Sequence, residues 1–137
     1  MITRAAIERD LVIGACAISA GIHAALVPGH LKEGAAAGTG FAVAAVLLMA
    51  VAIALSRVAN TAAVAGAATL FGGLLVSYGL AVTTGLPLLH PHPEAIDGLA
   101  LFTKAVELFG LISASHLLLQ QRSALSLAFP RTKGTLA

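Results

Sequence analysis

Apolar residues run along this chain in four long blocks, and polar residues gather almost wholly between them. The blocks cover about residues 8–27, 35–55, 62–86 and 96–119, each ending at a turn signal or a charged residue. A stretch of about 20 mainly apolar residues is what an α-helix needs to cross about 30 Å of hydrocarbon. The pattern therefore predicts an all-α fold: an integral membrane four-helix bundle forming a single transmembrane domain over 1–137, with a short tail at 122–137. The first block, "LVIGACAISAGIHAALV", is expected to end at Pro28-Gly29, because proline disfavours helix in the residue before it and glycine suits a helix exit. The second holds no charge at all. The fourth differs in kind, since it carries Asp97, Lys104, Glu107 and His116.

Composition strengthens this reading. Of 137 residues, 58% are hydrophobic and only 10% are charged, far from the mix of a soluble domain. "VIGAC" ending at Cys16 resembles a lipoprotein cleavage box. The apolar run before it is too short for a signal, however, and Glu8 and Asp10 spoil the charged region such a signal needs. A lone cysteine permits no intrachain disulfide, and Cys16 is expected to be a small packing residue.

Charge sets the orientation. Arg4 and Arg9 precede the first span, Arg57 lies between the second and third, and Arg122, Arg131 and Lys133 follow the fourth. The other two connections share only Lys32. The positive-inside rule then places both termini in the cytoplasm, with the chain in a bacterial cytoplasmic (inner) membrane and "HLKEG" and "HPHPEAID" on the outer side. The formal charge of +2 comes from these anchors and is no nucleic-acid signature.

Small residues mark where helices can approach closely in lipid. Ala65, Thr69, Gly73, Ser77, Ala81 and Gly85 recur every four residues along the third span, and Gly34 and Gly38 open the second. Such a ridge packs either another helix of this chain or a neighbouring protein. With no Trp and one Tyr, the aromatic belt that anchors many membrane proteins is weak.

Polar residues within the spans are the candidates for function, because each costs a few kcal/mol unless it finds a partner or water. Cys16, Ser19 and His23 share one helix face. His23 is expected to hydrogen-bond a carbonyl or serine in the bundle, or to serve as a ligand or proton relay. Lys104 and Glu107, one turn apart, can neutralise each other. His116 lies nine residues beyond Glu107, about 900° of helical rotation and hence on the opposite face. They cannot both point to one bundle axis, so one of them must face another surface: a second protein, or, for His116 near the cytoplasmic end of its span, the membrane interface.

On the outer side the sequence gathers His30, Glu33, His90 and His92, with Glu94 beside them. Imidazole and carboxylate are ligands for zinc or copper, and two loops can complete four-coordination. The alternative is that "HPHP" is a stiff polar connector, since no CxxC or HExxH occurs. No nucleophile and base pair, phosphate loop or cofactor fingerprint is present either, so no enzyme is expected.

"HAALVPGHLKEGAAAGTGFAVAAVLLMAVAIAL" followed by "GLPLLHPHPEAIDGLALFTKAVELFGLI" resembles a group of small, uncharacterised four-span membrane proteins of actinobacteria and related bacteria. The shared features are a His after the first span, the Pro-x-His-x-x-Glu turn at Pro28 to Glu33, a Gly-Leu-Pro close to the third span, and an acidic residue in the fourth. That family often has Glu where this chain has Gly29. The resemblance implies the four-span topology and no activity. Two readings follow from the sequence: a small non-catalytic accessory subunit of a larger membrane complex, respiratory or of another metalloenzyme, with other integral membrane subunits and lipid as its partners; or a stand-alone protein binding or passing copper or zinc through the outer His/Glu cluster.

Overall fold

The computed structural model describes residues 3–58, 60–87 and 92–128, the last five of these by backbone alone. It is all-helical: α1 (Arg4–Glu33), α2 (Ala35–Arg57), α3 (Thr61–Thr83) and α4 (Gly98–Ala128). Each is long and apolar enough to cross a membrane. At 1.5 Å per residue the 23 residues of α2 extend about 35 Å, enough to cross a hydrocarbon core. The outside of the molecule is apolar as well, with Val46, Val76, Ile112 and Leu119 each at least 60% exposed.

Side-chain oxygens fix where three helices begin. Thr3 Oγ1 accepts from the Ala6 amide, Asn60 Oδ1 from Ala63 and Asp97 Oδ1 from Ala100, each satisfying a first-turn N–H that has no partner within its helix. Asp97 thus lies just before α4 and caps it. Thr83 closes α3, its hydroxyl donating back to the Gly79 carbonyl.

Pro28 does not end α1, contrary to expectation; the helix continues through Pro28-Gly29 to Glu33. Proline removes one N–H and one hydrogen bond from a helix interior. In a helix this long, with neighbours packed along it, that loss is tolerated. His30 therefore sits on the last turns of α1 and not in a loop. Gly34 alone joins α1 to α2, and Gly38 lets Leu31 pack directly against the α2 backbone: a Cβ at Gly38 would overlap the Leu31 side chain. The GxxxG at Gly34 and Gly38 thus serves a tight α1–α2 hairpin.

The helices run alternately up and down, as cross-helix pairs show: Ser19 meets Glu107 and Glu8 meets His116 between α1 and α4. The start of α1 and the end of α4 therefore lie at one end of the bundle, and the end of α1 and the start of α4 at the other. Around the bundle the order is α2, α1, α4, α3, with broad α1–α2, α1–α4 and α3–α4 seams and a much thinner α2–α3 seam. The core is built from Val12, Ala15, Cys16, Leu48, Leu55, Val64, Phe71 and Ala114, all buried, so Cys16 is the packing residue expected. Phe71 of α3 lies over Gly110 of α4, where a Cβ would come within 2.5 Å of the ring.

The small ridge of α3 is divided. Ala81 and Gly85 are buried and Ala65 half-buried, whereas Thr69, Gly73 and Ser77 in its middle are exposed.

Candidate functional site

The buried stripe of α1 and the charged stripe of α4 meet halfway along their seam. Residues 103, 107, 110, 114 and 117 of α4 recur at helical spacing and are all buried, so Glu107 is carried inward with its apolar neighbours. Its side chain is 0% exposed. Ser19 Oγ donates to Glu107 Oε1 at 2.9 Å, and Lys104 Nζ, one turn back, donates to Oε2. The Lys104–Glu107 pairing expected from spacing is therefore present, with a hydroxyl from α1 completing it.

His23 sits one turn along α1 from Ser19, 5% exposed. Its Nδ1 lies 2.9 Å from the Ser19 carbonyl oxygen, which only accepts, so Nδ1 carries the proton and donates. This is the carbonyl bond anticipated for a histidine inside a span. The tautomer leaves Nε2 as the acceptor end, 3.9 Å from Glu107 Oε1.

A second polar cluster closes the same seam near the termini. His116 Nδ1 donates to Glu8 Oε1 at 2.8 Å, Gln120 Nε2 donates to Glu8 Oε2 at 3.0 Å, and Arg4 Nε donates to Oε1 at 3.0 Å. Glu107 and His116 do not point to one bundle axis, as expected from their spacing, yet both find partners on α1. Glu107 points into the core, while His116 leaves α4 at its flank, 43% exposed, beside the buried Leu117, and there meets Glu8 of α1. Opposition by rotation holds, but a half-exposed flank and a long carboxylate close the gap. Glu8 and Gln120 were not singled out in the sequence, because a glutamate before an apolar block looks like an interfacial anchor. Between the two clusters α1 buries Val12, Ala15 and Cys16, and α4 buries Ala114 and Ser113.

From the Lys104–Glu107 pair toward the connections, the bundle opens into a cavity of about 250 Å³. All four helices line it: His23, Leu26 and His30 from α1, Gly40 and Phe41 from α2, Ser77 and Tyr78 from α3, Thr103 and Lys104 from α4, with Glu94 and Asp97 from the connection before α4. The Lys104 ammonium lies 5.3 Å from the centre of the Tyr78 ring. Tyr78 Oη is buried and finds no hydrogen-bond partner among the described residues. The His30 ring stacks on Phe41 with centroids 3.9 Å apart, and its Nδ1 donates to the Leu26 carbonyl at 3.0 Å. The Glu94 amide donates to the Ala81 carbonyl at 3.0 Å, tying the connection back to the end of α3.

Of the four metal-ligand candidates, His30 thus lines the cavity, Glu33 ends α1, His92 is exposed in the connection, and His90 lies outside the described residues. Among the described residues no group of three or more His, Cys, Asp or Glu side chains is assembled as metal ligands would be. The arrangement instead gives an apolar-walled chamber with a charged pair at its floor and carboxylates near its mouth.

Comparison with protein-family models, with curated proteins and with solved structures gives no match for this chain.

Proposed function

We propose that the protein is a non-catalytic membrane protein that binds a small molecule in the cavity between its four helices, in the half of the bundle nearer the connections. The observation that carries this reading is the cavity itself, with His23 and Lys104, the latter paired to the buried Glu107, in its lining. Concave, mainly apolar chambers with a few converging polar groups are where small ligands bind, often between the helices of bundles. A buried ion pair is weak evidence for stability on its own account, since packed apolar residues would serve as well or better, so its place at the floor of a chamber favours a binding role. In the orientation argued from Lys and Arg, the cavity belongs to the outer half of a bacterial cytoplasmic membrane.

The test is direct. Protein purified from its own membrane in mild detergent is extracted with organic solvent, and the extract is compared by mass spectrometry with that of Ala100→Phe, which fills the chamber. A compound present with the first and lost with the second is expected. Identical extracts from two equally stable proteins would end this reading.

A second reading, the accessory subunit, is favoured by Thr69, Gly73 and Ser77, which leave the middle of the α3 ridge open to a helix from another chain. The polar residues of α4 no longer argue for it, since both find partners on α1. Native protein of this kind would co-migrate with other polypeptides, and recovery as a monodisperse monomer from its own membrane would exclude it.

A further inference from the structure

The α2–α3 seam is the thinnest in the bundle, and its two halves differ. Near the termini Val51 of α2 lies against α3, its Cγ2 3.8 Å from the position of a Cβ at Gly66, and Leu48, Ala52, Leu55, Val64 and Ala67 are buried around them. In the other half the same two helices bound the cavity with the buried Ala37 and Ala81 and with Gly40 and Ser77, both small and both exposed. No bulky side chain at either position shuts that wall. A chamber at this depth in a chain of four spans, with its weak wall between two apolar helices, has lipid tails on the far side of that wall.

The polar groups inside are unevenly placed. Lys104 spends one of its three N–H bonds on Glu107, and Tyr78 adds a buried hydroxyl without a protein partner. Both are donors, and both sit at the deep end. The carboxylate of Asp97 stands at the other end, where the chamber meets the connection, and the Lys104 ammonium, the one ammonium among the described lining residues, is already balanced by Glu107. Further negative charge is therefore unwelcome, while an uncharged acceptor oxygen would meet two donors. At about 250 Å³ the chamber lies just below the usual range of ligand pockets, about 300–1,000 Å³, so it holds a head group and not a whole amphiphile.

From these observations, and resting on the reading of the cavity as a binding site, we propose that the ligand is a neutral, carbonyl-bearing amphiphile drawn from the membrane, a quinone-like ring on an apolar tail. Its head enters sideways between α2 and α3 and accepts hydrogen bonds from Tyr78 and Lys104, while its tail stays in the seam beside Gly40 and Ser77. Binding alone is proposed, and no electron or proton is transferred.

Tyr78→Phe gives a clean probe, because Oη makes no hydrogen bond among the described residues and its removal should leave stability unchanged. The experiment uses the full-length protein in lipid nanodiscs and three ligands: a decyl-tailed para-benzoquinone, the same ring without a tail, and decanoate. The tailed quinone is expected to bind, to lose about fivefold to tenfold in affinity with Tyr78→Phe, and to be excluded by Ser77→Trp at the seam. The tail-less ring and decanoate are expected to bind much more weakly. Decanoate binding as well as the quinone would overturn the neutral head, and equal binding of the tail-less ring would overturn entry from the lipid. No binding of the tailed quinone overturns the proposal outright. The solvent extract of the native protein decides the wider reading separately: a compound lost with Ala100→Phe keeps the binding site while this ligand class is discarded.

Discussion

Removing Lys104 and removing Glu107 should have unequal consequences. Glu107 is fully buried and holds two donors, Lys104 and Ser19. In Lys104→Met the carboxylate keeps only the serine hydroxyl, and breaking a buried pair from one side costs about 3–5 kcal/mol. In Glu107→Gln the Ser19 bond survives, because the amide oxygen still accepts. The ammonium left behind is 16% exposed and lies 5.3 Å from the Tyr78 ring, so it keeps a cation–π partner and access to the cavity. That variant should cost about 1–2 kcal/mol. In the double variant Lys104→Met/Glu107→Gln no charge is stranded, and the cost should fall to about 1 kcal/mol or less. Taking the lower ends, the two single losses sum to about 4 kcal/mol, so the coupling between the sites is at least about 3 kcal/mol. Reversible unfolding in mixed micelles, titrated with a denaturing detergent and followed by circular dichroism, measures all four proteins. Additivity within about 0.5 kcal/mol, or a costlier Glu107→Gln than Lys104→Met, would refute the assignment of Glu107 as a buried, doubly bonded carboxylate.

Ser19→Ala removes a hydroxyl bond to a charged acceptor and should cost about 1.5–3 kcal/mol in the same titration, whereas His116→Ala, at a half-exposed pair, should cost less than about 1 kcal/mol. Equal costs would mean that the two clusters are not buried to the different degrees described. Gly110→Ala should destabilise by about 1–3 kcal/mol, although alanine is the better helix former by about 1 kcal/mol, because its Cβ meets the Phe71 ring. Phe71→Leu should relieve part of that cost, and a stabilised Gly110→Ala would show that α3 and α4 are further apart. A single cysteine placed at His92, in a background with Cys16 replaced, should react with a membrane-impermeant thiol reagent in intact cells. Reaction at Arg57 in its place would invert the proposed orientation.

The four helices were legible because their signal is additive: some twenty apolar residues in a row outweigh any local exception. The same strength explains the error at Pro28. A local rule about proline was set against a long apolar helix that loses one hydrogen bond and keeps its packing. Pairings at helical spacing within one element, Lys104 with Glu107 and His23 with the Ser19 carbonyl, could be read directly. Pairings between elements could not. Ser19 was placed on the right face with Cys16 and His23, but its bond to Glu107 depends on the vertical register of α1 against α4, which no periodicity encodes. The Glu8–His116 contact depends on the same register, and without it the opposed faces of α4 gave no hint that both residues find partners on α1. The cavity had no sequence signature at all, since it is made by what four helices fail to fill.

The four seams differ in how they are held, and this difference is what ties the fold to the proposed binding. The α1–α4 seam has two polar clusters, one at mid-length and one near the ends of the chain's first and last helices, with Val12, Ala15, Cys16 and Ala114 buried between them. The α1–α2 hairpin turns on a single residue and locks Leu31 against Gly38, and α3 meets α4 through Phe71 over Gly110. Between α2 and α3, among the described residues, no side-chain hydrogen bond is made, and the contact between them is the thinnest of the four seams. Separation of these two helices at their far ends therefore breaks no polar bond and exposes apolar surface only to lipid tails, which are as apolar as the leucines they would touch. Opening any other seam would strand Glu107 or Glu8, or pull an interlocked side chain from its partner. A ligand dissolved in the membrane thus meets the one wall whose displacement costs least, directly beside the donors that would hold its head.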